Sequence, residues 1–309
     1  MFGRSRSHGV AALPLLGLAL GAPALAQQVA PRPPAAAPAS PQTAPQPAPV
    51  QIAPVQIPLP VLSPEQAQQV RQLIVQGRIA QGLRYSTAEA EVLPTDDQGL
   101  ARAALDYARA IHIGRLDTAD FQEDWALRPA AWDPLPGFAK AVADNRISQW
   151  FASLTPQYEG YDNLRKGLAR YRRIETAGGW TSIAAGPDLT VGSSGPRVAA
   201  LRARLAIEDS EVAGTGDKFD AALKEAVVRA QRRYGLAPTG TVSTGTLAGL
   251  NVPVSSRIRQ IMANMERWRW MPKEMPVDRI QVNIPAAQVA VFEGDRPVMS
   301  MRGVTGKPG

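Results

Sequence analysis

The chain contains no cysteine. That removes disulfides, thiolate metal sites and a cysteine nucleophile together, so an exported form must be held by packing alone. Histidine is nearly absent as well, with two in 309 residues. His8 falls in the leader described below. His112 is left, and one histidine makes no histidine metal cluster. It lies between Ile111 and Ile113, with no carboxylate or nucleophile at triad-like spacing, and reads as a half-buried helix-end residue. The sequence therefore offers no catalytic, cofactor-binding or metal-ligating residue. Aromatics make up 6% of the chain and no dense basic run is interleaved with them, which argues against a nucleic-acid partner.

What is present begins with a leader. Arg4 and Arg6 precede "VAALPLLGLALGAPALA", and Ala24-Leu25-Ala26 fits a small-residue cleavage site, so residues 1–26 read as a secretory signal. The run is short and holds Pro14 and Pro23, so it makes no membrane span. Losing Arg4 and Arg6 takes the net charge from +7 to +5, a basic excess that suits an anionic polymer or surface. Many of the 28 prolines fall in residues 27–62, a nearly uncharged Pro/Ala/Gln stretch that favours extended polyproline II and reads as a disordered linker.

From Ser63 the pattern turns helical. Ser63 suits an N-cap and Pro64 the first helical position, with Val70, Leu73, Ile74 and Ile79 as the apolar stripe. Leu100, Ala104, Tyr107 and Ile111 repeat that spacing. Further helices are predicted over 137–143 and 147–154, and one with Leu164, Leu168 and Tyr171 on a face, ended by Gly178-Gly179. Residues 63–186 thus form an all-helical unit. Trp125, Trp132 and Trp150 read as core or interface anchors, with sugar stacking as the sharper alternative.

Residues 187–253 show three short helices. Val198, Leu201 and Leu205 mark the first, and Phe219, Leu223, Val227 and Ala230 the second. Tyr234-Gly235-Leu236 closes that second helix, and Thr246, Leu247 and Leu250 mark the third. With Leu189, Gly192, Gly195, Asp220, Ala226, Gln231, Gly240 and Val242, this segment resembles the peptidoglycan-binding-like three-helix domain. Arg202 and Ala230 depart from that pattern, where the family usually has Gln and an aromatic. The resemblance implies peptidoglycan as a partner, with Arg197, Arg232 and Tyr234 as candidate contacts.

Residues 254–277 begin with a helix whose face is Ile258, Ile261, Met262 and Met265, capped by Ser255 or Ser256. Its arginines suggest a connector with a solvated basic side. Trp268 and Trp270, two apart before Pro272, suggest strand-like or irregular backbone. From residue 278 the period becomes two. Ile280, Val282 and Ile284 alternate, then Val289, Val291, Val298 and Val304 flank a Gly294-Asp295 turn, with Met301 to Thr305 as strand.

Asn264, Glu266-Arg267-Trp268-Arg269-Trp270, Val282-Asn283-Ile284-Pro285, Val304 and Gly306-Lys307-Pro308 follow a helical unit and a three-helix segment. This order resembles the large periplasmic L,D-transpeptidases of Gram-negative bacteria. The resemblance implies a mainly α chain in which residues 278–309 are the first strands of an incomplete β-rich catalytic domain. Arg267, Trp268 and Trp270 would then connect to that domain. It implies an acyltransferase that cross-links peptidoglycan stem peptides through a Cys nucleophile and a His base. No residue here can fill those roles, so the chain is expected to be inactive alone. The expectation is the front part of such an enzyme, C-terminally truncated; the alternative is a complete, non-catalytic peptidoglycan-binding adaptor.

Overall fold

The computed structural model describes residues 57–85, 92–117, 119, 129–212, 215–284, 287–294 and 296–304, all within the unit Val55–Gly309. The leader, the linker up to residue 56, Trp125, Pro285, Asp295 and the Gly306-Lys307-Pro308 turn lie outside them. Among the described residues the chain is mainly α, with a small C-terminal sheet.

The first unit packs α1 (Pro64–Ala80), α2 (Asp97–His112), α3 (Leu135–Ala143), α4 (Ile147–Leu154) and α5 (Glu159–Thr176). Ser63 begins α1 as a capping box. Its hydroxyl accepts from the Gln66 amide while the Gln66 side chain accepts from the Ser63 amide. Asp96 caps α2 in the same sense. Val70, Ile74, Leu100, Ala104, Ile111, Phe138 and Ile147 are fully buried and form the core between α1, α2, α3 and α4. Trp150 packs on Phe138 and Phe151, and Trp132 lies 4.2 Å from the His112 ring, so both tryptophans serve as anchors. α5 ends at a Schellman motif in which Gly178 takes φ +97° and the Gly179 amide reaches back to Ile174 O.

The three-helix segment follows as α6 (Pro196–Glu208), α7 (Ala221–Arg233) and α8 (Thr244–Leu250). Leu189, Val198, Leu201, Leu205, Phe219, Leu223, Val227, Val242 and Leu250 form its core. The spacing-derived apolar residues are therefore the buried ones. Asp220 caps α7 through the Leu223 amide at 2.7 Å, and Arg202 bonds the same carboxylate at 2.9 Å. Arg202, the departure from the family pattern, is thus absorbed into the fold.

α9 (Val254–Arg269) then returns to the first unit. It packs along α5, burying Ile258 and Met265 against Tyr161 and Leu168. The structure corrects three expectations for this helix. Its N-cap is Pro253, with Ser255 and Ser256 inside the first turn, because Val254 packing against Gly179 sets the entry. Its arginine side is not uniformly solvated, since Arg269 is 2% exposed. Its helix runs through Trp268 to Arg269, because the Glu266 and Arg269 side chains share the buried face at helical spacing.

β1 (Arg279–Asn283), β2 (Gln288–Glu293) and β3 (Arg296–Arg302) form an antiparallel meander in that order. Val282–Val289–Met301 and Ile280–Val291–Met299 stand in register as two apolar rows on one face. β3 starts earlier and stops earlier than the alternation suggested. It ends at Arg302, and the Gly303 amide turns to Ala287 O.

Candidate functional site

Most residues that define the three-helix segment in sequence are structural. Gln231 is buried, and its amide nitrogen bonds Thr241 O at 2.8 Å and the Thr246 hydroxyl at 3.0 Å. Its amide oxygen accepts from Gly240 N at 2.9 Å. One side chain thereby fastens the turn between α7 and α8. Arg197 is used locally too, with Nε on Ala184 O at 3.0 Å and Nη1 on Pro187 O at 2.8 Å. A side chain at Gly186 would meet that guanidinium at 2.6 Å.

Tyr234 points inward. Its hydroxyl donates to Glu208 and accepts from Arg204, and Arg257 lies over its ring at 4.2 Å. Tyr171 of α5 donates to the same Glu208 carboxylate, and Arg204 Nη1 pairs with it at 2.6 Å. Arg204 also bonds Leu250 O at 3.0 Å and stacks on Trp180 at 3.7 Å. Burial alone would push the Glu208 carboxyl up. The Tyr171 and Tyr234 hydrogen bonds and the Arg204 charge outweigh it and hold the group below its ordinary value. This cluster joins α5 to the three-helix segment.

Of the predicted contacts, Arg232 is the exposed one that reaches open space, with the ring of half-buried Tyr234 beside it. With Arg233, the α7–α8 turn and residues of the sheet, it lines an open cleft of about 930 Å³. Arg302 of β3 faces it from the opposite wall, with Asn283, Gln288 and Ser300, and Asn264 of α9 lines it as well. The lining holds three arginines and no carboxylate. Arg232, Arg233 and Arg302 are exposed, and none of them forms an ion pair among the described residues. Three such groups around a concave surface create a positive potential, partly offset at Arg233 by the Asp209 carboxylate. Arg267 touches the edge of this cleft by bonding Asn264 Oδ1 at 3.1 Å. Arg232 could be named from the family resemblance, whereas Arg302, Asn283 and Gln288 come from strands that only folding brings there.

The predicted connector residues lie elsewhere. Trp268 packs on Tyr158 at 5.1 Å between ring centres, and Gly160 leaves space for it. Trp270 and the Glu266 carboxylate both press on Gly114, where a Cβ would meet them at 2.8 and 2.4 Å. Glu266 accepts from the Arg115 amide at 2.5 Å and pairs with Arg269 at 2.7 Å. Arg269 in turn bonds Gln81 O and the Tyr161 hydroxyl. The Glu-Arg-Trp-Arg-Trp run is therefore a clamp on α1, α2 and α5. His112 ends α2 with Nδ1 3.0 Å from Leu154 O, which it can only donate to, and burial lowers its pKa. No cluster able to hold a metal occurs among the described residues.

Comparison with known families matches two segments. Residues 60–168 match a scaffold domain, and residues 194–250 match a putative peptidoglycan binding domain. No curated protein matches the chain. Among the described residues no helix is long and apolar enough to cross a membrane. A chain carrying these two domains in this order is a cell-wall-associated, extracytoplasmic protein, and together they fit the large L,D-transpeptidase family that the sequence resembles.

Proposed function

We propose that this chain acts in cell-wall biogenesis in the periplasm of a Gram-negative bacterium, binding peptidoglycan and positioning it for L,D-transpeptidation. The observation that carries this reading is the arginine cleft beside the three-helix domain, with no carboxylate in its lining. Peptidoglycan stem peptides carry carboxylates, and guanidinium forks bind carboxylates through paired N–H donors. The leader over residues 1–26 supplies export in this reading. In this reading these residues are the N-terminal portion of a transpeptidase, binding and positioning peptidoglycan for a Cys/His catalytic part that they do not contain.

Sedimentation with purified sacculi tests this. The wild-type chain is expected to pellet with them, less at high salt because exposed charges are screened. The pair Arg232→Gln and Arg233→Gln should pellet several-fold less than the wild type. Retention no greater than that of a control protein refutes the proposal. The scaffold and three-helix domains by themselves also support a second reading, a non-catalytic peptidoglycan-binding adaptor. Loss of L,D-cross-links in cells lacking the chain supports the first; unchanged cross-linking supports the second.

A further inference from the structure

The helical unit carries a second concavity that the arginine cleft does not use. It is about 510 Å³, set between the C-terminal half of α1, the end of α4 and the start of α5. Tyr107 forms its floor. That residue is 5% exposed, and its hydroxyl has no hydrogen-bond partner among the described residues. Nearby Tyr161 shows the contrast, because its hydroxyl donates to Gln81 at 2.6 Å and accepts from Arg269 at 3.1 Å. The Tyr107 hydroxyl is not sealed from the groove, so a ligand acceptor there can take the place of solvent as its partner.

Gly77 makes room for the Tyr107 hydroxyl at the groove. A Cβ there would lie 1.9 Å from the Tyr107 hydroxyl. Glycine is unfavourable inside a helix, yet α1 holds it at this position. The walls are neutral and hydrogen-bonding. Gln76, Ser148 and Gln157 can each donate and accept, and Asp162 and Arg165 at the rim satisfy one another at 3.1 Å. This chemistry is the opposite of the arginine cleft. It suits a ligand with many hydroxyl and amide groups and no charge.

We infer that this groove binds the neutral glycan strand of peptidoglycan, a chain of N-acetylated sugars, with the Tyr107 hydroxyl donating into it. Burial pushes Tyr107 up to about 12, so the hydroxyl keeps its proton at any physiological pH. The identity of the glycan rests on the cell-wall reading above; the groove does not depend on the arginine cleft. The helical unit then carries a contact of its own and does not only support the three-helix domain.

Titration of the full chain with chitotetraose, an uncharged N-acetylglucosamine tetramer, tests this by amide NMR. Saturable shifts are expected at Gly77, Ala152 and Gln157. Tyr107→Phe removes only the hydroxyl. It should leave the Tm unchanged or raised while weakening chitotetraose binding about fivefold, the loss of one hydrogen bond. The absence of saturable shifts at the groove overturns the inference, and so does unaltered affinity in Tyr107→Phe. The two readings fail separately. Arg232→Gln with Arg233→Gln should pellet several-fold less with sacculi and keep chitotetraose binding. If chitotetraose binding is absent while sacculi still retain the wild type in a salt-sensitive way, the glycan groove alone is wrong.

Discussion

Replacing Glu266 by alanine should destabilise the helical unit sharply. Glu266 is 7% exposed and Arg269 is 2% exposed, so the change strands a guanidinium inside the protein. Breaking a buried pair by removing one partner costs about 3–5 kcal/mol. Arg269 keeps its bonds to Gln81 O and Tyr161, which places its share near the low end. The Arg115 amide loses its acceptor as well, adding about 1 kcal/mol. The total is about 4 kcal/mol. At about 2–4 °C per kcal/mol for a chain of this size, the Tm should fall by roughly 8–16 °C. Glu266→Gln keeps an acceptor for the Arg115 amide and should lose about half as much. The double variant Glu266→Ala with Arg269→Met removes both charges and should regain most of the loss. Urea unfolding followed by far-UV circular dichroism measures all three. A Glu266→Ala chain as stable as the wild type would refute the clamp, as would a double variant less stable than Glu266→Ala alone.

Other perturbations probe other joints. Gly160→Ala should lower the Tm and shift tryptophan emission to the red, because its Cβ would lie 2.5 Å from Trp268 Cζ2; unchanged emission counts against the packing. Asp220→Ala removes the α7 cap and leaves Arg202 without its carboxylate, costing about 1–2 kcal/mol by urea unfolding. Glu208 has a carboxyl held below its ordinary 4.5, so its stabilising share is present above that value and is lost as pH falls through its lowered pKa. The stability gap between wild type and Glu208→Gln should therefore narrow on acidification below pH 4.5, and a gap constant with pH would contradict this assignment.

Much of the fold can be read locally. Ser63 and Gln66 are three apart, and the Phe219, Leu223, Val227 and Ala230 stripe lies on one helix, so periodicity and capping rules reach them directly. The reading fails where partners are far apart in sequence. Glu266 meets Arg115 across 151 residues and Arg269 meets Gln81 across 188, so nothing near them signals that they are buried. Their charges suggested a solvated side, and Trp268 with Trp270 suggested irregular backbone. Tertiary packing of α9 on α5 overrode both expectations. The same limit applies to the candidate site. Arg232 could be named, but its role depends on Arg302, carried by a strand that only the meander brings opposite.

The three-helix segment leaves the helical unit after α5 and returns to it at α9, so it is held at both ends. The two crossings are tied side by side. Asn251 exchanges a reciprocal pair of hydrogen bonds with the Ile183 backbone at 2.9 Å each, and Trp180 Nε1 donates to Val252 O at 3.1 Å. A module on one flexible tether swivels freely and, under load, transmits force through a single peptide. Here a load on the three-helix segment would be shared between two crossings of the chain that are tied to each other. The three-helix segment is therefore mounted like a bracket, fixed at both ends rather than hung from one.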